Sequence, residues 1–241
     1  MKNLFRSLLD LLLPPACLCC GRPLATSDAT LFCPACLAQL HLITTPLCPC
    51  CGRAYLKAAG GDHFCATCLT KKWYFGAARA VLLYEDPAKS LIHLFKYQGK
   101  TACLKSLCRL MASLPHLADY TKDADLILPV PLHNSRLRTR GFNQAQLLAQ
   151  AFFPKDRRLK VDIIRRIRPT PPQTGFNGTA RRLNVKNAFA VAEPEQVRGK
   201  KILLVDDVFT TGTTVNECAK TLKKAGAGEV RVLTLARVKE E

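Results

Sequence analysis

Four C-x-x-C pairs near the N-terminus constrain the fold of this chain more than any other feature. Ten of its 13 cysteines lie between residues 17 and 68, and eight of them form the pairs Cys17/Cys20, Cys33/Cys36, Cys48/Cys51 and Cys65/Cys68. In two pairs a glycine follows the second cysteine, where a tight turn can direct backbone N–H groups at the sulfurs. The similar separation of the pairs predicts an internal duplication, with four thiolates in each half.

This pattern predicts two structural Zn²⁺ sites, each with four cysteine ligands, in two zinc ribbons. A disulfide framework is the alternative, but repeated C-x-x-C pairs in a cytoplasmic chain favour a metal. We expect the first pair to join the second and the third to join the fourth, although the sequence leaves a crossed arrangement open. Cys19 and Cys50 lie inside their pairs and are interpreted as non-ligands.

Charge and hydropathy bear on partners and location. The chain has 36 Lys and Arg against 18 Asp and Glu, a formal net charge of +18. Such an excess favours binding of polyanions, whether nucleic acid or a multiply phosphorylated metabolite, with a generic basic surface as the alternative.

No segment reaches the roughly 18 apolar residues that a membrane span needs. Residues 4–13 read as a short helix stopped by Pro14 and Pro15, not as a signal peptide, so we expect a cytoplasmic protein.

The pattern with the most chemical information lies between residues 201 and 214. An apolar run ends in Asp206 and Asp207, and a short loop rich in hydroxyls leads to an amphipathic helix that begins near Thr214. The loop and the helix N-terminus suit a phosphate, and the carboxylates can accept hydrogen bonds from sugar hydroxyls. These residues predict a ribose 5-phosphate site. A buried strand with an incidental polar loop is the alternative, whereas the lack of Gly-Lys-Ser/Thr excludes a Walker A loop.

Strands and helices alternate after the last cysteine pair, and we place a domain boundary there, between residues 1–72 and 73–241. This alternation predicts an α/β fold with a parallel, doubly wound sheet, whose ligand binds at the carboxyl ends of the strands. A basic loop carrying Arg136, Arg138 and Arg140 follows the second strand; these arginines can neutralise a pyrophosphate, and the start of a solvated basic helix is the alternative. The predicted strands lie at 77–84, 125–131, 203–206 and 230–235, and the predicted helices at 87–97, 101–114, 143–153 and 215–225.

The segment from Asp206 to Thr214 resembles the phosphoribosyl pyrophosphate (PRPP) motif of the type I phosphoribosyltransferases. The resemblance implies that Asp206 and Asp207 hold the ribose 2- and 3-hydroxyls. It also implies Mg²⁺ held mainly by the oxygens of PRPP, with waters bridging to this acid pair. The 5-phosphate would be wrapped by Thr210, Thr211, Gly212, Thr213 and Thr214. The loop after the first core strand, which binds pyrophosphate in that family, corresponds to Val130, Pro131, Leu132 and His133.

A segment that begins at Arg165 resembles the mobile catalytic loop of the glutamine amidophosphoribosyltransferases. A cationic lid that closes on pyrophosphate would exclude water and stabilise the departing charge. An ordinary linker is the alternative, because the segment is rich in proline and glycine. The residues of this segment that match lid positions of that family are Gln173, Arg181, Arg182 and Asn184.

Lys96 lies near the end of a predicted helix. It is either a phosphate contact or a favourable charge at a helix C-terminus.

The motifs of the whole chain, in order, resemble the ComF family of natural competence proteins. They are the tandem cysteine pairs, Phe-Lys-Tyr-Gln-Gly, Pro-Val-Pro-Leu-His, Arg-Gly-Phe-Asn-Gln-Ala, Pro-Pro-Gln and Val-Asp-Asp-Val-Phe-Thr-Thr-Gly. The resemblance implies a double zinc ribbon before a phosphoribosyltransferase domain, and a role in the uptake of transforming single-stranded DNA. Single-stranded DNA, proteins of the competence machinery and the periphery of the inner membrane are the implied partners and location. A transferase with an unknown acceptor and a catalytically silent, PRPP-responsive scaffold both stay open, as does the oligomeric state.

Overall fold

A computed structural model describes residues 15–24, 31–55, 60–98, 103–169 and 183–239. The predicted N-terminal helix lies outside these residues. Six strands are described: β1 (Ala77–Leu83), β2 (Leu126–Pro129), β3 (Ile164–Arg166), β4 (Phe189–Val191), β5 (Lys201–Phe209) and β6 (Glu229–Arg237). The α-helices are α1 (Pro34–Ala38), α2 (Ala66–Thr70), α3 (Ala88–Gln98), α4 (Cys103–Ala112), α5 (Pro115–Lys122), α6 (Asn134–Arg140), α7 (Gln144–Phe152) and α8 (Thr213–Lys224), and a 3-10 turn spans Pro194–Gln196.

Four strands form a parallel sheet in the order β1-β6-β5-β2. The two central strands carry apolar residues on both faces, because helices and loops cover both sides of the sheet there. Residues 202–205 of β5 are at most 1% exposed. β3 and β4 form a separate antiparallel pair. The parallel α/β sheet confirms the predicted fold class.

The two faces of the sheet carry different layers. Side chains of α3, α4, α5 and α7 share one apolar cluster with Leu203 and Val205 of β5. The other cluster contains Ile202 and Leu204 of the same strand, together with α8 and the hairpin. Alternate residues of a strand point to opposite faces, so one apolar run serves both clusters.

The two cysteine-rich units lie on different parts of this framework. Phe32, from the first unit, belongs to the cluster with α3 and α4, and the Leu31 N–H donates to the Ser106 Oγ at 3.1 Å. Cys48, Cys51 and Cys65, from the second unit, belong to the cluster with α8. The segment between the units, residues 41–43, pairs with β1 and covers that edge strand.

The structure changes several details of the predicted elements. Strand β5 continues through the acid pair to Phe209, whereas the sequence pattern placed its end at Asp206. Arg136, Arg138 and Arg140 lie on helix α6, which agrees with the helix start given as the alternative to a basic loop. The short helix α5 and the hairpin β3–β4 were not predicted. In the part of the chain that the structure describes, no helix has the length and apolar character needed to cross a membrane.

The Tyr120 hydroxyl joins α5 to the start of the β1–β6 pair. Its single proton is shared between the carbonyls of Ala77 and Val232, at 2.9 and 3.0 Å, and its oxygen accepts from the Val232 N–H at 3.1 Å. Arg79 and Arg231 lie over its ring at 5.4 and 5.7 Å. Burial raises the pKa of this phenol, so the hydroxyl stays protonated.

Tyr120→Phe is expected to lower the free energy of unfolding by about 2–3 kcal/mol, because it leaves buried backbone groups without their partner. Urea unfolding of the zinc-saturated protein measures the change. Tyr55→Phe is the matched control, since that hydroxyl makes an exposed bond to the His63 carbonyl and its loss is expected to cost less than about 1 kcal/mol. Equal losses in the two variants would contradict the role given to Tyr120.

Candidate functional site

The carboxyl end of β5 leads into α8 through a three-residue connection, 210–212. Gly212 is the N-cap of α8 and has φ 68°, in the left-handed region. A Cβ at this position would lie 2.5 Å from the Phe209 Cζ and 2.8 Å from the Trp73 ring. Only glycine fits both the backbone angle and this close packing. The Thr211 and Thr213 hydroxyls are 2.7 Å apart at the mouth of the loop. The predicted phosphate loop is therefore a tight turn at a helix N-terminus, which can take an anion.

Asp207 forms an ion pair with Lys96 of α3, and the two atoms Oδ2 and Nζ are 2.9 Å apart. Both side chains are largely buried, 16% and 22% exposed, so water screens the pair less than it screens a surface pair. Burial disfavours the charged ammonium, but the charge of Asp207 outweighs it and raises the pKa of Lys96. Lys96 therefore interacts with Asp207 of another element and not only with the C-terminus of its own helix. The sequence pattern alone could not show this pair.

Asp206 comes immediately before Asp207 in the chain and is partly buried. Its Oδ1 accepts the backbone N–H of Asp207 at 2.9 Å. Burial, and then the neighbouring charge of Asp207, raise the pKa of Asp206 from 3.8 to about 7. The two adjacent carboxyls thus differ in proton affinity, and near neutral pH Asp206 is poised between its charged and uncharged forms.

Arg166 of β3 supplies a second cation near the acid pair. Its guanidinium lies 5.3 Å over the Phe189 ring. Burial, followed by the charge of Arg136, lowers the pKa of Arg166, while Asp206 opposes this change. The charges of Arg136 and Asp206 thus both act on the Arg166 guanidinium. Arg166 belongs to the basic stretch singled out in the sequence, but its position beside Asp206 depends on the unpredicted hairpin.

Residues 130–133 lie beside the acid pair because β2 and β5 are neighbours in the sheet. The Val130 N–H donates to the Val205 carbonyl at 2.9 Å, and the Asn143 Nδ2 donates to the Val130 carbonyl at 3.1 Å. The His133 Nδ1 accepts the Ser135 N–H at 3.2 Å and so caps α6. The predicted pyrophosphate loop and the predicted phosphate loop therefore stand at the carboxyl ends of adjacent strands.

The predicted lid falls mostly outside the described residues. Gln173, Arg181 and Arg182 are among the residues that the structure leaves undescribed. Arg168, just before this gap, donates from Nη2 to the carbonyls of Asn184 and Lys186 at 2.9 and 2.8 Å. These bonds hold together the two ends of the segment that contains the predicted lid.

The eight paired cysteines form two groups of four. Within each group the sulfurs lie within 4.8 Å of one another, and the members are Cys17, Cys20, Cys33 and Cys36 in one and Cys48, Cys51, Cys65 and Cys68 in the other. Tetrahedral Zn²⁺ with Zn–S bonds of about 2.3 Å sets its sulfurs roughly 3.8 Å apart. The Cys20–Cys33 and Cys51–Cys65 sulfurs are 3.7 and 3.6 Å apart, which fits this geometry. The groups follow the sequential pairing that was expected.

Backbone N–H groups point at two of the sulfurs, and these donors belong to the other cysteine pair of each group. The N–H groups of Gly21 and Gly52 donate instead to the Cys17 and Cys48 carbonyls. The Cys33 N–H lies 3.3 Å from the Cys17 sulfur, and the Cys65 N–H lies 3.4 Å from the Cys48 sulfur. Burial acts to raise the pKa of Cys17, but these backbone donors outweigh it and lower the value to about 6. The same balance lowers the pKa of Cys48 to about 7. Thiolate is the form that binds a metal, so one thiol of each group ionises readily. Burial raises the pKa of Cys36, Cys51 and Cys68, whose thiols lose their protons when a metal binds.

Two known domain families match this chain, one in each of its predicted domains. The double zinc ribbon domain matches residues 8–69, and the phosphoribosyl transferase domain matches residues 137–241. The second match contains β5, the loop after it and α8. The first contains all eight of the grouped cysteines. Both matches agree with the organisation expected from the sequence.

Three relatives are similar to this chain over most of its length. Competence protein F of Haemophilus influenzae is 36% identical over 181 residues, which cover 72% of this chain and 78% of that protein. DNA utilization protein YhgH of Salmonella typhimurium is 34% identical over 234 residues, 94% of this chain and 99% of that protein. Competence protein ComFC of Streptococcus pneumoniae is 28% identical over 159 residues, 66% and 67% of the two chains.

Asp206→Asn is expected to stabilise the protein while it damages the site. The folded-state pKa of about 7 lies above the usual 3.8, so the fold favours the protonated carboxyl. The contribution of the protonated carboxyl to the free energy of unfolding is fully present below about pH 4, and it is lost as the pH rises through 7. The amide stays neutral, so at pH 8 the variant should gain on the order of 2–4 kcal/mol over the wild type, and less at pH 5.5. Chemical unfolding at both pH values measures this.

Asp119→Asn, an exposed substitution on α5, is the control and should show no such trend with pH. A variant at position 206 that is less stable than the wild type at pH 8 would contradict the raised pKa.

Proposed function

Because the chain belongs to the competence protein F (ComF) family, we propose that it binds PRPP, or another ribose 5-phosphate, together with Mg²⁺ and acts in the handling of DNA. One observation supports the ligand assignment: the loop after β5, the acid pair and residues 130–133 lie together at the carboxyl edge of one sheet. Ligands of open α/β sheets bind at this edge. The names of the relatives, which refer to competence and DNA utilization, support the second part of the proposal.

In this proposal the 5-phosphate lies in the loop after β5. Backbone N–H groups and the positive end of α8 stabilise its charge, and the threonine hydroxyls at 210, 211, 213 and 214 add donors. Asp206 and Asp207 accept hydrogen bonds from the ribose hydroxyls. Lys96 holds the Asp207 carboxylate in place and offsets part of the negative charge that the acid pair would present to an anionic ligand.

A pyrophosphate group would lie against residues 130–133. The guanidinium groups of Arg136 and Arg166 are suited to phosphate oxygens, which they can bind in a two-pronged manner. Mg²⁺ would be held mainly by the oxygens of PRPP, with waters bridging to the acid pair. We propose that Gln173 and Arg181, which lie outside the described residues, form part of a lid over the pyrophosphate.

The two groups of four cysteines are proposed to hold one structural Zn²⁺ each. The ligands are the eight residues of the two sulfur groups, and the metal contributes folding free energy to units with small cores of their own. The domain boundary at residue 72 also stays a proposal. The second unit shares its apolar cluster with α8, so we expect its metal to stabilise both sides of that boundary.

Two roles of the site, one catalytic and one of binding alone, are distinct proposals. In the first, pyrophosphate leaves C1 of PRPP and an acceptor attacks, with the arginines stabilising the departing charge. In the second, PRPP binds without reaction and changes how the chain engages DNA or a partner protein. The intact acid pair and loop support ligand binding in both cases, and fold alone does not decide between them.

Calorimetry with PRPP and Mg²⁺ tests the ligand assignment. We expect the wild type to bind, and Asp206→Asn/Asp207→Asn to bind at least about 100-fold more weakly, because each lost bond to a charged group is worth roughly 1.5–3 kcal/mol. Asp119→Asn, far in sequence from the loop, should bind as the wild type does. Absence of measurable heat from the wild type would remove the PRPP proposal. Pyrophosphate release with a nitrogen acceptor would support the transferase, and binding without release would support the scaffold.

The net charge of +18 and the arginines of α6 favour DNA as a second ligand. Affinity for an oligothymidylate, measured by fluorescence anisotropy, should fall steeply as salt rises from about 50 to 200 mM. Arg138→Gln should lower the slope of log affinity against log salt by about 1. Arg198→Gln, at the opposite, amino-terminal edge of the sheet, is the control and should leave the slope unchanged. A flat salt response would contradict DNA binding by this surface.

A further inference from the structure

We propose that Lys71, supplied by the second cysteine-rich unit, is a positioning residue of the phosphate loop. It fixes the Thr211–Gly212 peptide and adds a positive charge behind it, so that the unit completes the anion site of the sheet domain. The inference rests on the proposed function, since it concerns the same loop. It assigns to the second unit a task at the ligand site in addition to its own folding.

Lys71 reaches the loop directly. Its Nζ donates to the Thr211 carbonyl at 3.2 Å and lies 3.6 Å from the centroid of the Trp73 ring. A cation over an indole face at this distance is held in a defined position. The ammonium is thus fixed between an aromatic face and the loop, although Lys71 is distant from Thr211 in sequence.

The bond to Thr211 orients the donor that follows it. In a trans peptide the carbonyl and the next N–H point in opposite directions. With the Thr211 carbonyl turned toward Lys71, the N–H of Gly212 faces the other side of the same peptide plane. A cation on the carbonyl also polarises the peptide and strengthens its N–H as a donor. Lys71 therefore acts on a phosphate through this peptide, in addition to its Coulomb attraction.

The aromatic residues behind the loop keep this arrangement rigid. Trp73 packs against Gly212, and its ring centroid lies 4.8 Å from that of Phe75 and 6.2 Å from that of Phe209. The Tyr74 N–H donates to the Asn216 Oδ1 at 2.8 Å, in the first turn of α8. The segment 71–75 thus contacts the loop, the strand before it and the helix after it.

The second sulfur group anchors this segment at its other end. Cys68 lies three residues before Lys71, and the Lys71 N–H donates to the Thr67 carbonyl at 2.9 Å in the last turn of α2. Arg237, at the end of β6, donates to the Cys51 carbonyl and lies 4.7 Å over the Phe209 ring. The sulfur group and the loop are therefore joined by two routes, one through residues 68–73 and one through Arg237.

Titration calorimetry with ribose 5-phosphate, on the full chain with its zinc content verified, tests the inference. Lys71→Met keeps the apolar stem and removes the charge, and we expect about 10- to 30-fold weaker binding and a smaller salt dependence. Lys71→Arg should restore affinity to within about threefold, since it keeps a cation over the indole. Lys72→Met, an exposed neighbour of the same charge, is the matched control and should bind within about twofold of the wild type.

A second readout uses Trp73, the sole tryptophan of the chain. Ribose 5-phosphate should change its fluorescence in the wild type and in Lys72→Met, and should change it less in Lys71→Met at equal saturation. A role of Lys71 in folding alone would alter stability but not the salt dependence of ligand binding. If Lys71→Met fails to retain zinc, Lys71→Gln, which keeps a donor for the Thr211 carbonyl without the charge, replaces it in the same comparison.

The outcomes separate this inference from the function on which it rests. A wild type that does not bind ribose 5-phosphate removes the proposed function itself. A wild type that binds, with Lys71→Met and Lys72→Met equal in affinity and salt dependence, overturns the role of Lys71 and leaves the ligand assignment intact.

Discussion

Two adjacent carboxylates inside a hydrogen-bonded strand impose the constraint on which the rest of the site depends. β5 pairs with β6 beyond the acid pair as far as Phe209, so the pleat of the strand directs Asp207 to the face of α3 and Asp206 to the face of the hairpin. Next to burial, the charge of Asp207 nevertheless raises the pKa of Asp206. Burial makes a second negative charge costly there. Cations from distant elements, Lys96 on α3 and Arg166 on β3, lie close enough to offset it. The placement of that helix and that hairpin is thus tied to the charge of the strand.

Local patterns were sufficient to predict the parts of the fold that depend on sequence neighbours. The apolar run before Asp206 predicts a central strand because side chains on both of its faces are buried. The spacing of the cysteines predicts two thiolate groups because a C-x-x-C turn brings two sulfurs together without help from other elements. The loop after the acid pair could likewise be read from its glycine and hydroxyls, since one turn and one helix end form it.

Contacts between distant segments could not be predicted in this way. The ion pair of Lys96 with Asp207 joins residues that are far apart in the chain, and the helix pattern around Lys96 is explained equally well by its own C-terminus. In the sequence, Trp73 is simply the first residue after the predicted domain boundary. Its position beneath Gly212 follows only from the packing of the second unit on α8. The end of β5 was misplaced because acidic residues in a strand usually signal its end, whereas here the ladder to β6 continues past them.

The duplicated cysteine-rich units are similar in spacing but differ in surroundings. In the first group Cys20 is exposed to solvent, whereas its counterpart in the second, Cys51, is buried against the sheet domain. Water and chelators can therefore approach the first metal position more readily, and exchange of metal there should be the faster of the two. If both groups hold Zn²⁺ as proposed, a chain short of zinc would lose the ion of the first unit before that of the second. The more protected of the two proposed metal sites is the one next to the proposed phosphate loop.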